Sequence, residues 1–241
     1  MRLAVVALLL IGCREPKDFD PLGGGGGSGM TGVPDAPPDT ELDAPTGANL
    51  VTGRVCVVQD LRKLTLCDAT NADDIAVEIG TAQVITATVN GTFMIDLPAG
   101  TGLTWKVSHP DFMTAISQLG TSFTLNTIRI SEFSNLLSDN GVILTGGQSS
   151  SVVVQVLDTN DAPVVGATAV TSPAAQFQTR YDGNSATTWD QDATGAFGVA
   201  WLPGTTGTST QLTVTPPGGG SSVTLTLPLV PDTITFATVS F

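Results

Sequence analysis

Short runs in which apolar and polar residues alternate recur from about residue 50 onward, each bounded by glycine, proline, asparagine or aspartate. Alternation with a period of two puts one set of side chains on a core face and the other in solvent, so the runs predict strands. They fall at 53–58, 64–67, 75–79, 83–89, 92–97, 103–109 and 122–130, and then, after Gly146-Gly147, at 152–157 and 164–170. Asn90-Gly91 between two such runs signals a two-residue hairpin, because both central positions of a type I′ turn need positive φ. In the strand that follows, Phe93 and Ile95 share one face and Met94 and Asp96 the other, and Phe93 is expected deepest in the core. The pattern breaks once. Phe133, Leu136 and Leu137 fall at i, i+3 and i+4, with Ser131 able to cap and Asn140-Gly141 as a stop, which predicts a helix over 131–140.

The stretch 90–100 (NGTFMIDLPAG) returns at 194–204 (TGAFGVAWLPG), about 100 residues later. Aligned on the first glycine, Gly91 matches Gly195, Phe93 matches Phe197, Ile95 matches Val199 and Gly100 matches Gly204. A period of this length suits two copies of a small β domain rather than a solenoid. On one face of the second copy lie Phe197, Val199 and Trp201, which places Trp201 in a core. The chain therefore divides into a first β-sandwich at 50–130, a helix and connection at 131–147, and a second sandwich at 148–241.

The second copy also carries Pro163-Val-Val-Gly166-Ala167-Thr-Ala-Val170, then Asp192-x-x-Gly195-x-Phe197-x-Val199 and a Leu202-Pro203-Gly204 corner. This set resembles the carboxypeptidase regulatory-like domain, a transthyretin-like (prealbumin-like) seven-stranded sandwich. The first copy matches through Gly53, Val55, Gly91, Phe93, Ile95, Pro98 and Gly100. It lacks the Pro-Val-x-Gly-Ala segment and carries a cysteine hairpin instead. The resemblance implies an all-β chain of two tandem Ig-like or prealbumin-like antiparallel sandwiches. Domains of that family accompany peptidases, sugar-handling proteins and surface proteins, so it marks a fold more than an activity.

Ahead of the strands, Met1-Arg2 leads into nine apolar residues, Leu3 to Ile11. Nine residues are too few for a bilayer span of about 20 and fit the apolar region of a signal peptide, assigned to 1–12. Leu10-Ile11-Gly12-Cys13 resembles the bacterial lipobox, which implies cleavage before Cys13 and a diacylglycerol on its sulfur. Two or more acyl chains anchor stably where one does not. Arg14, rather than aspartate, leans the sorting toward the outer membrane. Residues 13–49, with a five-glycine run at 23–27 and prolines interleaved with acidic residues, form a flexible linker with a reach on the order of 30 Å.

Composition narrows the function. The 241 residues carry a net charge of −13 and a pI near 4.1, which lacks the basic footprint that nucleic-acid binding requires. His109 is the sole histidine and no Gly-x-Ser-x-Gly elbow accompanies it, so a Ser-His-Asp centre is not expected. One histidine and two paired cysteines do not build a zinc site. Cys56 and Cys67, the cysteines left once Cys13 is lipidated, are read as a structural disulfide. Carboxylate pairs occur at Asp73-Asp74 and Asp190/Asp192, but a glycosidase cleft lined with aromatics is not evident from three tryptophans and one tyrosine. Asp190, Asp192 and Thr194, followed by Gly195, echo the first half of a calcium loop without its closing acidic residue, and read as a turn. Lys63 and Lys106 have no asparagine spacing that suggests an isopeptide bond. Tyr181 and Trp189 flank the polar loop 182–185 and are the candidates for exposed ligand contact.

These readings converge on a non-enzymatic lipoprotein of the cell envelope, without a cofactor, held in the membrane by its lipid. Its modules would be structural or recognitive, with another envelope protein as partner. Two alternatives stand beside that reading: a carbohydrate- or peptidoglycan-binding module contacting envelope polysaccharide, and an accessory subunit of an envelope hydrolase or secretion complex.

Overall fold

The computed structural model describes residues 49–241 except 69–71, 87–89, 119, 121, 184–188 and 191. The expected signal peptide, Cys13 and the expected linker, up to residue 48, lie outside the described residues. Among the described residues the chain forms fourteen strands and one α-helix. Seven strands precede the helix: β1 (Leu50–Val58), β2 (Ala76–Ile79), β3 (Ala82–Ile85), β4 (Thr92–Asp96), β5 (Thr104–His109), β6 (Phe112–Gln118) and β7 (Thr124–Ile128). Helix α1 (Ile130–Asp139) follows. Seven more strands complete the chain: β8 (Ser149–Leu157), β9 (Thr168–Ser172), β10 (Arg180–Tyr181), β11 (Val199–Thr206), β12 (Ser209–Thr215), β13 (Val223–Pro228) and β14 (Ile234–Ser240). The chain is all-β in class, as its alternation predicts.

The two sets of seven repeat one pairing scheme. β1 runs antiparallel to β4 and parallel to β7, and β8 runs antiparallel to β11 and parallel to β14. Likewise β5 joins β2 and β6, all antiparallel, as β12 joins β9 and β13. One strand differs: β3 pairs with β2 in the first module, whereas β10 pairs with β11 in the second.

The modules are fused by a parallel ladder. Ile234, Thr235 and Phe236 of β14 pair with Ala115, Ile116 and Ser117 of β6. One eight-stranded sheet therefore crosses both modules in the order β10-β11-β8-β14-β6-β5-β2-β3, flanked by the three-stranded sheets β4-β1-β7 and β13-β12-β9. This arrangement explains the unbroken valine run in β8, since a strand covered on both faces needs no polar side. Val152, Val154 and Val156 enter the core of the second sandwich with Ala200 and Leu202. Val153, Val199 and Trp201 face the other way and join the core that holds Phe93, Trp105 and Phe133.

Helix α1 lies over that second face. Phe133, 3% exposed, meets Trp201 edge-on at 6.4 Å between ring centroids. Arg129 precedes the helix and offers no side-chain cap, so Ser131 does not serve as one. At the other end Asn140 donates its side-chain amide to the Leu136 carbonyl at 2.9 Å, and Gly141 at φ +63° ends the helix.

Several expectations are corrected. β6 carries no regular alternation, with Phe112, Ala115 and Ile116 buried along it, and it is absent from the strands expected above. Residues 64–67 form turns with one bridge, Val58 to Cys67, rather than a strand. The strand of the second repeat starts at Val199 and runs through Leu202-Pro203-Gly204 instead of stopping there, so Phe197 sits in the preceding turn, half-buried. Gly195 is consequently not the partner of Gly91. Gly91 at φ +68° accepts the Val55 N–H at 2.8 Å, and Gly198 at φ +65° accepts the Val156 N–H at 2.7 Å. A Cβ on either glycine would press on the carbonyl of that same valine, so both positions require glycine twice over.

With this register, Phe93 takes the place of Ala200. Phe93 is paired across the ladder with Gly53, and Ala200 with Val154. A large residue opposite a small one is thus inverted between the modules, which fills similar space by opposite means.

Candidate functional site

The cleft that unites the most unassigned chemistry lies where loop 59–62, helix α1 and Trp189 meet. Its volume is about 550 Å³, and its walls include Asp60, Arg62, Glu132, Asn135, Asp139 and Trp189. The helix supplies Glu132, Asn135 and Asp139 because positions three and four apart share a helical face. Trp189 comes from the second module, where its ring packs against Trp201 at 5.6 Å, tilted by 58°.

Asp60 and Arg62 are locked together. Arg62 donates from Nε to Oδ1 at 2.9 Å and from Nη2 to Oδ2 at 2.8 Å, and its backbone N–H also reaches Oδ1 at 3.0 Å. Burial raises the Asp60 pKa, but the hydrogen bonds and charge of Arg62 outweigh it, so the net shift is downward. Glu132 goes the other way: burial pushes its carboxyl up, opposed by Arg129 and reinforced by Asp68. Arg62 Nη1 and Glu132 Oε2 are both buried and have no hydrogen-bond partner.

The sequence candidates distribute as follows. Cys56 and Cys67 are bonded, with Cα atoms 4.9 Å apart. Cys56 is fully buried, while Cys67 is half-buried and accepts a hydrogen bond from Arg54 Nη2. Trp201 is fully buried. Tyr181 is not exposed, contrary to expectation: it is 4% exposed, and its hydroxyl accepts from the Ala169 N–H at 3.1 Å. A two-residue strand between β11 and the bridge to Asp190 leaves its ring no route to solvent. Burial raises its phenol pKa, moderated by the Ala169 and Thr179 contacts. Trp189 remains in a cleft, half-buried.

The calcium echo is a structural turn. Asp192 is exposed and its N–H bonds Asp190 Oδ1 at 3.3 Å. Thr194 is 2% exposed, accepts the Ala167 N–H at 2.8 Å and donates to the Val164 carbonyl at 2.7 Å. Among the described residues no group of three or more His, Cys, Asp or Glu is placed to hold a metal. Asp73 and Asp74 are exposed on a bend. His109 closes the turn from β5 to β6, its Nδ1 accepting the Asp111 N–H at 3.1 Å. Lys63 sits 5.5 Å from the Phe197 ring centroid, and Lys106 pairs with Glu78 at 3.1 Å across the ladder.

Sequence reasoning missed two devices. One is Asp182, fully buried, whose carboxylate accepts the N–H groups of Gly195 at 2.6 Å, Phe197 at 2.5 Å and Val199 at 3.0 Å. The other is a threonine clasp used twice. Thr86 accepts the Ile75 N–H and donates to the Ala72 carbonyl, both at 2.9 Å, as Thr194 does with Ala167 and Val164. The first module therefore contains a counterpart of the Val164–Ala167 segment, with Asp74 at φ +56° in the place of Gly166 at φ +86°.

The fold and cleft define the class, an all-β chain of two fused seven-stranded sandwiches. Among solved structures it is similar to the Bacillus anthracis TIE protein, at 8% identity over 83% of this chain and 41% of that one, with a TM-score of 0.26. It is also similar to a streptococcal ancillary pilin, at 11% identity over 81% of this chain and 63% of that one, with a TM-score of 0.22. This chain thus spans less than two thirds of the length of either. No protein-family model and no curated protein matches it.

Proposed function

We propose that the chain is a lipid-anchored protein of the cell envelope whose two carboxypeptidase regulatory-like sandwiches act as one rigid, non-catalytic recognition block. The β14–β6 ladder carries this reading. Modules joined only by a linker would swing independently, whereas a shared sheet holds loop 59–62, α1 and Trp189 in fixed relation. A cleft with walls from both modules is then a pre-organised surface, of the kind that binds without paying to order itself. In this reading Cys13 bears the lipid, and the glycine- and proline-rich linker sets the block off from the membrane, with the outer membrane as its destination.

Metabolic labelling with a fatty-acid analogue tests the anchor. The full chain is expected to take up label and to sediment with membranes, and Cys13→Ala to lose both. Label retained on Cys13→Ala would overturn the proposal.

A further inference from the structure

We infer that the cleft between loop 59–62, α1 and Trp189 binds a neutral saccharide. This rests on the reading of the block as a recognition module and names its ligand class. Two residues that line this cleft each keep a buried polar atom without a partner. Arg62 spends Nε and Nη2 on Asp60 and keeps Nη1, a donor, without a partner. Glu132 keeps Oε2, an acceptor, without a partner. Both residues line the same cleft. Buried polar groups are rarely left in this state unless something else satisfies them.

A hydroxyl is the group that can serve both atoms, since it donates one hydrogen and accepts at its lone pairs. A phosphate or carboxylate only accepts, and would face Asp60, Glu132 and Asp139 across the cleft. An ammonium only donates, and would leave the guanidinium unmet and repelled. Several hydroxyls on a ring whose C–H face is apolar match the rest of the site: Trp189 offers an indole wall, and Asn135 supplies an amide that donates and accepts. A volume of about 550 Å³ falls in the range of small-ligand sites and admits roughly one to three sugar units.

Two larger clefts, one of about 710 Å³ lined by Arg54, Gln118, Asn126 and Gln155 and one of about 590 Å³ lined by Arg54, Gln59, Thr65 and Cys67, have no tryptophan among their walls. Both lack the pairing of an indole wall with an open donor and an open acceptor, and so are not assigned this role.

An array of neutral, acidic and amino oligosaccharides, probed with the full chain, tests the inference. Binding is expected to neutral members. Trp189→Ala should weaken it at least roughly tenfold and Glu132→Gln roughly three- to tenfold. Because Trp189 supports Trp201, Glu132→Gln is the variant that separates lost contact from lost packing: its unfolding midpoint should stay near that of the parent. Binding restricted to charged members, binding untouched by both substitutions, or no binding at all would each overturn the inference. Fatty-acid labelling in the same preparation keeps the two proposals apart, because labelled protein that binds no saccharide sinks only this one.

Discussion

In the first module the chain leaves β3 at Ile85 and enters the Thr86 clasp at the next residue. In the second it leaves β10 at Tyr181 and reaches the matching clasp only at Thr194, after a loop that bears Trp189. On either side of that difference the modules coincide: the clasp itself, the glycine that meets Val55 or Val156, and the antiparallel and parallel partners of the opening strand. The shared features all hold backbone. What differs is the third strand of each module, which pairs with β2 in one and β11 in the other, and the loop behind it. The framework is thus repeated, and the candidate site is built where the repeat is broken.

Asp182 is the residue that makes the longer path possible, so its loss is the largest effect expected. Its carboxylate ties three backbone N–H groups of 195–199 to the end of β10, and among the described residues of the first module no carboxylate follows β3 in the same way. Asp182→Ala would leave those donors buried and unmet, at about 3–5 kcal/mol. Denaturant unfolding measures the loss. A cost below about 1 kcal/mol would mean that the loop closes without the carboxylate, and the contrast between the modules would dissolve.

The disulfide is the device peculiar to the first module. Removing it as Cys56→Ser with Cys67→Ser should cost about 3 kcal/mol on the loop-entropy estimate. Its chemistry is lopsided. An external thiol reaches Cys67, and the leaving thiolate would then be Cys56, inside the core, where a charge is poorly tolerated. Dithiothreitol should therefore reduce the bond slowly in the folded protein and quickly in urea. Equal rates in both conditions would contradict this.

Matched substitutions probe the shared framework directly. Thr86→Val and Thr194→Val keep shape but each strand a buried N–H and a buried carbonyl, for about 1–3 kcal/mol apiece. Agreement between the two costs would support equivalence of the clasps, and a difference above about 2 kcal/mol would count against it.

How much of this could be read in the residues alone differs by device. Alternation exposed most strands, and Phe93 lies in the core as its face predicts, 4% exposed. The hairpin expected at Asn90-Gly91 does not form: β3 pairs with β2 and β4 with β1, and only Gly91 of the two takes a positive φ. The clasps were hidden because a threonine bonded to backbone has no fixed spacing: the loops around it change length between copies. String similarity matched Gly91 to Gly195, since both stand before a phenylalanine at the same distance, whereas backbone conformation matches Gly91 to Gly198. For the cleft, Trp189 was legible as an aromatic beside a polar loop. Asp60, Arg62 and Glu132 were not, because only the folded sheet brings loop, helix and second module together.

The smallest effect should come from the cleft, whose residues stand outside the repeated framework. Burial raises the Glu132 pKa above its ordinary value of 4.5, so the folded protein holds that proton more tightly than the unfolded chain does. Its favourable contribution is present below 4.5 and is lost as pH rises through the higher folded value. Glu132→Gln should therefore melt slightly higher than the parent at pH 7, by no more than about 1–2 °C, with the gain shrinking as pH falls through 4.5. Asp60 has the opposite sign. Its pKa is net lowered from 3.8, so its contribution is present above that value and is lost as pH falls through the folded one. Asp60→Asn should accordingly melt lower than the parent at pH 7 and approach it in acid. Thermal melts of both variants across pH 2.5–7 measure the two slopes, and slopes of the same sign would show that Asp60 and Glu132 do not occupy the opposed environments that the cleft gives them.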